Sequence, residues 1–182
     1  MVITTEDKIK KGIVIAGFGG VGKTMLAKKY KNVLDLESTP FKYLIEDYDK
    51  LDAETIKGTQ AEAKKLNPDF PSNYITAIKN NINKYDYILV WCHPEEILPH
   101  FDANGVDYQL FIPTRDALDE YRQRFIDRGN NEDYVNRVSD KDGYDKRLLQ
   151  FKATGKPIIF LGKGETLESY IKNHEEYPLL NK

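Results

Sequence analysis

The sequence predicts an α/β fold: a five-stranded parallel sheet in three layers, with helices over both faces. Three observations predict it. Five short apolar runs recur along the chain, and helical stretches separate them. The strongest run, Tyr87-Ile88-Leu89-Val90-Trp91, is apolar throughout rather than alternating, as in a strand buried on both faces. The first run leads straight into a glycine-rich loop and a helix, the strand–loop–helix order of a crossover unit.

The elements follow in order. Residues 12–16 form the first strand, and the helix behind the loop runs to about Tyr30. Residues 32–36 are a short second strand ending in acidic and hydroxyl groups. Residues 40–73 are irregular, with Pro40, Pro68 and Pro71 and one helical stretch from about Ala53 to Leu66. A helix over 73–83 follows, because Tyr74, Ala77 and Ile78 share a face. Tyr87–Trp91 is the third strand. Pro94 opens a helix to about Ala103, and Asn104-Gly105 closes it. Residues 107–112 are the fourth strand. Thr114 caps a long helix ending at Arg128-Gly129. Helical segments near 131–138 and 143–152, a fifth strand at 157–161 and a helix over 165–173 complete the chain. In such sheets ligands collect beyond the carboxyl ends of the strands.

Composition narrows the function classes. The 182 residues are 40% hydrophobic and 31% charged, as in a globular chain, and a chain of this size buries about 70% of its unfolded surface. The formal net charge of −2 gives no general attraction to nucleic acid or to anionic membrane. Cys92 is the single cysteine, so no intrachain disulfide forms. Neither a membrane-spanning run nor a signal peptide is visible, and the cytoplasm is the expected location.

Residues 17–24 read Gly-Phe-Gly-Gly-Val-Gly-Lys-Thr, the full G-x-x-x-x-G-K-[ST] phosphate loop. Gly17, Gly19, Gly20, Val21 and Gly22 let backbone N–H groups face a phosphate. Lys23 reaches the β/γ-phosphates, and the Thr24 hydroxyl holds Mg²⁺. A bound nucleoside triphosphate is the expectation.

Other groups leave two readings each. Asp35 and Glu37 share one side of the second strand's end. If that strand neighbours the first, both carboxylates approach the metal at Thr24, or one takes a proton from an attacking hydroxyl; otherwise they form a solvated turn with Ser38. The helix from Thr114 carries Arg115, Arg122, Arg124 and Arg128 beside an apolar stripe of Leu118, Tyr121 and Phe125. Its arginines either close over a transferred phosphate or make surface ion pairs with interspersed acids. Asn67-Pro68-Asp69-Phe70-Pro71-Ser72-Asn73-Tyr74 is a proline-stiffened corner whose Asn67, Phe70 and Tyr74 either read a base or serve packing. His93 touches an acceptor or caps the helix after it. The glycine-rich Leu161-Gly162-Lys163-Gly164-Glu165 lets backbone approach a nucleobase or is an ordinary turn. Asn83-Lys84-Tyr85-Asp86 and Asp102-Ala103-Asn104-Gly105 match GTPase signatures but stand out of order and out of context.

Four of these segments carry a family resemblance: the loop at 17–24, Asp35–Ser38, the run from Leu110 through Gly129 with its R-x-x-x-R-G, and Asn67–Pro71. Together they resemble the P-loop nucleoside and nucleotide kinases, relatives of adenylate, thymidylate and shikimate kinase. The chain looks most similar to small nucleotide-kinase-like proteins of bacteriophages and prophages. The resemblance implies a P-loop fold of nucleoside monophosphate kinase type, one domain over 1–182, an acceptor-binding insertion at about 38–75 and a lid at about 114–140. It implies ATP and Mg²⁺ as cofactors and γ-phosphoryl transfer to a small acceptor, most of all a (deoxy)nucleoside monophosphate. The catalytic set is then Lys23, Arg124, Arg128, Arg115 and Asp35; Thr24, Asp35 and Glu37 hold the metal. Glu37, Ser38, Asn67, Phe70, Tyr74 and His93 meet the acceptor. The expected partners are small molecules, with neither nucleic acid nor membrane among them; a homodimer stays open, as does a regulator or weak NTPase without an acceptor. One departure stands out: no acid follows the third strand, where many such kinases have one.

Overall fold

A computed structural model describes residues 11–44 and 65–182. Strands β1 (Ile13–Gly17), β2 (Val33–Asp35), β5 (Tyr87–Val90), β6 (Gln109–Pro113) and β7 (Ile158–Leu161) form one sheet in the order β2-β5-β1-β6-β7. Every pairing in it is parallel. A small antiparallel pair, β3 (Tyr43–Leu44) with β4 (Lys65–Leu66), stands apart from it. The helix expected over 53–66 lies outside the described residues except for its last two, which are strand β4.

The helices are α1 (Lys23–Lys29), α2 (Thr39–Lys42), α3 (Ser72–Asn81), α4 (Leu98–Ala103), α5 (Leu118–Asp127), α6 (Glu132–Ser139), α7 (Lys141–Ala153) and α8 (Leu167–Lys172). Two expected helices start differently. Residues 94–97 are a turn ahead of α4, and Arg115–Ala117 is a 3₁₀ turn ahead of α5. Local chemistry sets several starts. Asn131 and Asp140 cap α6 and α7 by accepting the backbone N–H groups of Tyr134 and Gly143. Thr166 and Ser169 form a capping box on α8.

The central strands β1, β5 and β6 are almost wholly buried, as their unbroken apolar runs require. Tyrosines supply much of the core: Tyr74, Tyr87, Tyr108, Tyr121 and Tyr144 are among its largest fully buried side chains. Buried hydroxyls need partners, and for Tyr87 and Tyr144 a backbone carbonyl is the partner. Tyr87 donates to Pro178 O, and Tyr144 to Pro113 O. Leu118, Tyr121 and Phe125 form the buried stripe of α5 that the sequence predicts.

A tie between α8 and α1 gives a pH-dependent contribution. Glu168 accepts from Lys172 at 2.6 Å, Lys29 at 2.5 Å and the Tyr30 hydroxyl at 2.6 Å. Those bonds, led by Lys172, hold its carboxyl at about 2, below the usual 4.5. A depressed folded-state pKa contributes stability above the unfolded value and loses it as pH falls through the folded one. Urea midpoints are therefore expected to drop between about pH 4.5 and 2, and Glu168→Gln should flatten that part of the profile. An identical profile in the variant refutes the tie.

Among the described residues no helix is long and apolar enough to cross a membrane.

Candidate functional site

The strand ends carry the site. The loop leaves β1 at Gly17 and curls back through Gly20 (φ 86°) and Gly22 (φ 102°), left-handed positions that suit glycine. Phe18 anchors it: its N–H donates to Phe111 O at 2.9 Å, and its ring is buried. Among the described residues the N–H groups of Gly19, Gly20, Gly22 and Lys23 have no protein acceptor. Such a row of donors is a concavity for an anion. The Lys23 ammonium folds back onto the carbonyls of Gly17 (2.6 Å) and Phe18 (3.2 Å), inside the loop's own ring.

Strand order answers the condition set on Asp35 and Glu37. β2 does not neighbour β1, because β5 lies between them. Asp35 still reaches the loop's end, and the Thr24 hydroxyl donates to its Oδ2 at 2.8 Å. Helix α1 carries Thr24 across the intervening strand. A hydroxyl beside a carboxylate is the donor pair that Mg²⁺ takes when phosphates and water complete its octahedron. Among the described residues no group of three or more His, Cys, Asp or Glu forms a self-sufficient metal cage. Glu37, beyond β2, accepts from the Thr39 hydroxyl at 3.2 Å. Ser38 is buried, and its carbonyl receives the N–H groups of Phe41 and Lys42.

The substrate candidates of 67–93 divide. Tyr74 is fully buried and joins two strand ends: its hydroxyl donates to Leu36 O at 2.6 Å and accepts from Trp91 N at 3.1 Å. Its reading as a base-stacking residue is thereby corrected, since both faces and the hydroxyl are committed to the core. Tyr74→Phe leaves two buried backbone groups short of a partner and should cost about 1–3 kcal/mol. An unchanged urea midpoint would show that the staple contributes nothing. Asn67 makes a local turn, its side chain accepting from Asp69 N at 3.0 Å. Phe70 leans on Tyr74 with ring centroids 6.3 Å apart. His93 caps the turn after β5: its Nδ1 receives Glu96 N at 3.2 Å and Glu95 N at 3.4 Å. Burial pulls its pKa down against the opposing charge of Glu96.

Trp91 is half-buried at the same edge, with the Lys42 ammonium 4.7 Å from its ring centroid and His93 5.3 Å away. Lys42 also pairs with Glu96. Cys92 is buried beside them, and burial raises its thiol to about 11, so it is inert.

The arginines of the expected lid take different stations. Arg124 is a strut: it donates to Gly20 O at 2.9 Å and Glu165 O at 3.4 Å, and its guanidinium lies 4.5 Å from the Tyr121 ring centre. It joins the glycine loop to the turn after β7. That turn is also closed by carboxylates, Glu165 on Gly162 N (2.7 Å) and Glu120 on Gly164 N (2.8 Å). Arg115 is turned onto Asp145, with Nε 3.0 Å from both oxygens, which separates it from the loop group. Arg128 is exposed at the end of α5, and its charge acts on the Tyr134 phenol.

Two arginines that the motif reading passed over stand on the helices beside the loop. Arg147 of α7 lies 5.4 Å over the Phe18 ring and donates to Val138 O at 2.9 Å. Its Nε is shut from solvent and has no hydrogen-bond partner among the described residues. Burial lowers its pKa, and the charges of Cys92, Arg137 and Asp140 also act on it. Arg137 sits 5.9 Å from the Tyr134 ring centre. The sequence did hold a signal for Arg147. Tyr144 and Phe151 are the buried residues of α7, and Arg147, three after one and four before the other, shares their face. An arginine on a core stripe is out of place unless something needs its charge.

No protein-family model matches the chain, and no curated protein matches it in sequence. The site is therefore read from its own geometry.

Proposed function

We propose that this chain is an ATP-dependent phosphotransferase of the P-loop nucleoside monophosphate kinase type, moving the γ-phosphoryl of ATP to a small acceptor. The acceptor class that fits best is a (deoxy)nucleoside monophosphate. One observation carries the reading: Arg147 holds a half-buried cation 5.4 Å over the ring of loop residue Phe18, its Nε without a hydrogen-bond partner among the described residues. A loop that only bound nucleotide would have no use for so costly a charge above it. A phosphoryl group in flight has such a use.

In this mechanism the loop N–H groups cradle the phosphates, and Lys23 leaves the Gly17 and Phe18 carbonyls for the β/γ oxygens. Thr24 and Asp35 would hold Mg²⁺, which neutralises phosphate charge when bound. Arg147, with Arg137 and Arg128 around Tyr134, balances charge on the transferred group and keeps water out. An acceptor oxygen attacks the γ-phosphorus as the bond to the β–γ bridging oxygen breaks, and ADP departs. A monophosphate acceptor presents an oxygen already anionic near neutral pH, its second pKa being about 6. A hydroxyl acceptor instead passes its proton to Glu37. Arg124 keeps the loop and the turn after β7 in register.

The test is ATP with a radioactive γ-phosphate, offered with a panel of nucleosides and their monophosphates. Label on one of them supports the proposal. Label appearing only as inorganic phosphate supports an NTPase or nucleotide-sensing regulator instead.

A further inference from the structure

Tyr134 lies in the first turn of α6, and its placement is over-determined. Asn131 accepts its backbone N–H at 2.8 Å, which fixes the turn. Its ring meets Phe125 edge-on, with centroids 5.5 Å apart and planes at 84°. The Arg137 guanidinium is 5.9 Å from the ring centre on α6 itself. These contacts aim the phenol at the phosphate loop: a Cβ built on Gly19 would lie 3.4 Å from the Tyr134 oxygen. Gly19 directly follows Gly17 and Phe18, the two residues whose carbonyls hold the Lys23 ammonium. Since that lysine serves the β/γ-phosphates, the hydroxyl stands at the terminal-phosphate end of the loop. Among the described residues it makes no hydrogen bond.

We propose that the Tyr134 hydroxyl is a ligand of the terminal phosphoryl group, donating a hydrogen bond to a γ-oxygen of a bound nucleoside triphosphate. It rests on the phosphotransferase reading above. Burial raises the phenol's pKa against the pull of Arg128 and Arg137. It therefore stays protonated near neutral pH and acts as a donor. A bond from a neutral donor to an anionic phosphate oxygen is of the stronger, charge-assisted kind. Tyr134 would thus distinguish triphosphate from diphosphate, because only the former carries the oxygen it meets.

Tyr134→Phe isolates the hydroxyl, since the ring, its packing on Phe125 and its place over Gly19 all remain. Calorimetric titration of the full chain with Mg·ADP, and with Mg·ADP plus aluminium fluoride as a mimic of the transferring group, gives the readout. The variant is expected to bind Mg·ADP within about twofold of wild type. It should bind the aluminium fluoride complex about tenfold more weakly or worse. Equal loss for both ligands would mean a structural role, and no loss for either would mean the hydroxyl meets nothing; each overturns the proposal. Tyr134→Ala, which also removes the ring, should weaken both complexes. Because binding alone is measured, a wild-type chain that binds the mimic but labels no acceptor would refute the phosphotransferase reading and leave the Tyr134 contrast readable.

Discussion

Lys23→Ala is expected to lower phosphoryl transfer by about 10²–10³-fold, the usual effect of removing one preorganised charge from a developing transition state. The Lys23 ammonium bonds to Gly17 O and Phe18 O. Its removal therefore costs the loop two internal hydrogen bonds as well as the charge. Substrate binding and turnover should not suffer equally. The ground-state triphosphate keeps the loop N–H groups and the metal, whereas the transferring group loses the cation when its charge is moving. The check is a comparison of kcat and KM for ATP in wild type and variant. A rise in KM with kcat unchanged would mean that Lys23 binds without assisting the chemistry.

Arg147→Met has the second largest expected effect, and its sign differs between stability and activity. A half-buried cation whose Nε has no partner among the described residues is a burden on the fold. Methionine matches its length and is apolar. The variant is expected to unfold at a higher urea concentration, by roughly 1 kcal/mol, while its turnover falls at least tenfold. Arg147→Lys should rescue only part of the activity, because an ammonium lacks the planar fork that spans two phosphate oxygens. Wild-type turnover in Arg147→Met, whatever its stability, would remove this arginine from the site. A trade between stability and function is expected where a fold keeps a charge in place for a ligand.

How far the sequence led can be judged from particular residues. The five sheet strands were legible as short apolar runs, and the central ones, β1, β5 and β6, are buried on both faces as such runs require. The loop was legible because its glycines and Lys-Thr stand in one unbroken motif. Strand order was not legible: nothing in residues 33–35 or 87–90 says that β5 inserts between β1 and β2. Asp35 had two readings, decided by whether its strand adjoined the loop's strand; it does not, yet Asp35 meets Thr24. Arginine selection went by motif, and motif spacing does not report direction. Arg115 faces Asp145 and Arg124 braces the loop from outside. Arg147, in no motif, was visible only as a charge on the buried face shared by Tyr144 and Phe151. Tyr74 was weighed as a ligand group when its hydroxyl is the staple between Leu36 and Trp91. Tyrosine is ambiguous in sequence because one end of it is apolar and the other polar.

The central claim is that the γ-phosphoryl reaches a small acceptor rather than water. It is tested most directly by a single turnover, with the chain in excess over ATP bearing a radioactive γ-phosphate. The acceptor is supplied as the dialysable small molecules of a cell extract. The account predicts that label moves to a low-molecular-weight product sensitive to phosphatase, that this needs Mg²⁺, and that Lys23→Ala slows it by about 10²–10³-fold. Label recovered wholly as inorganic phosphate, at the same rate with and without the extract, would contradict it.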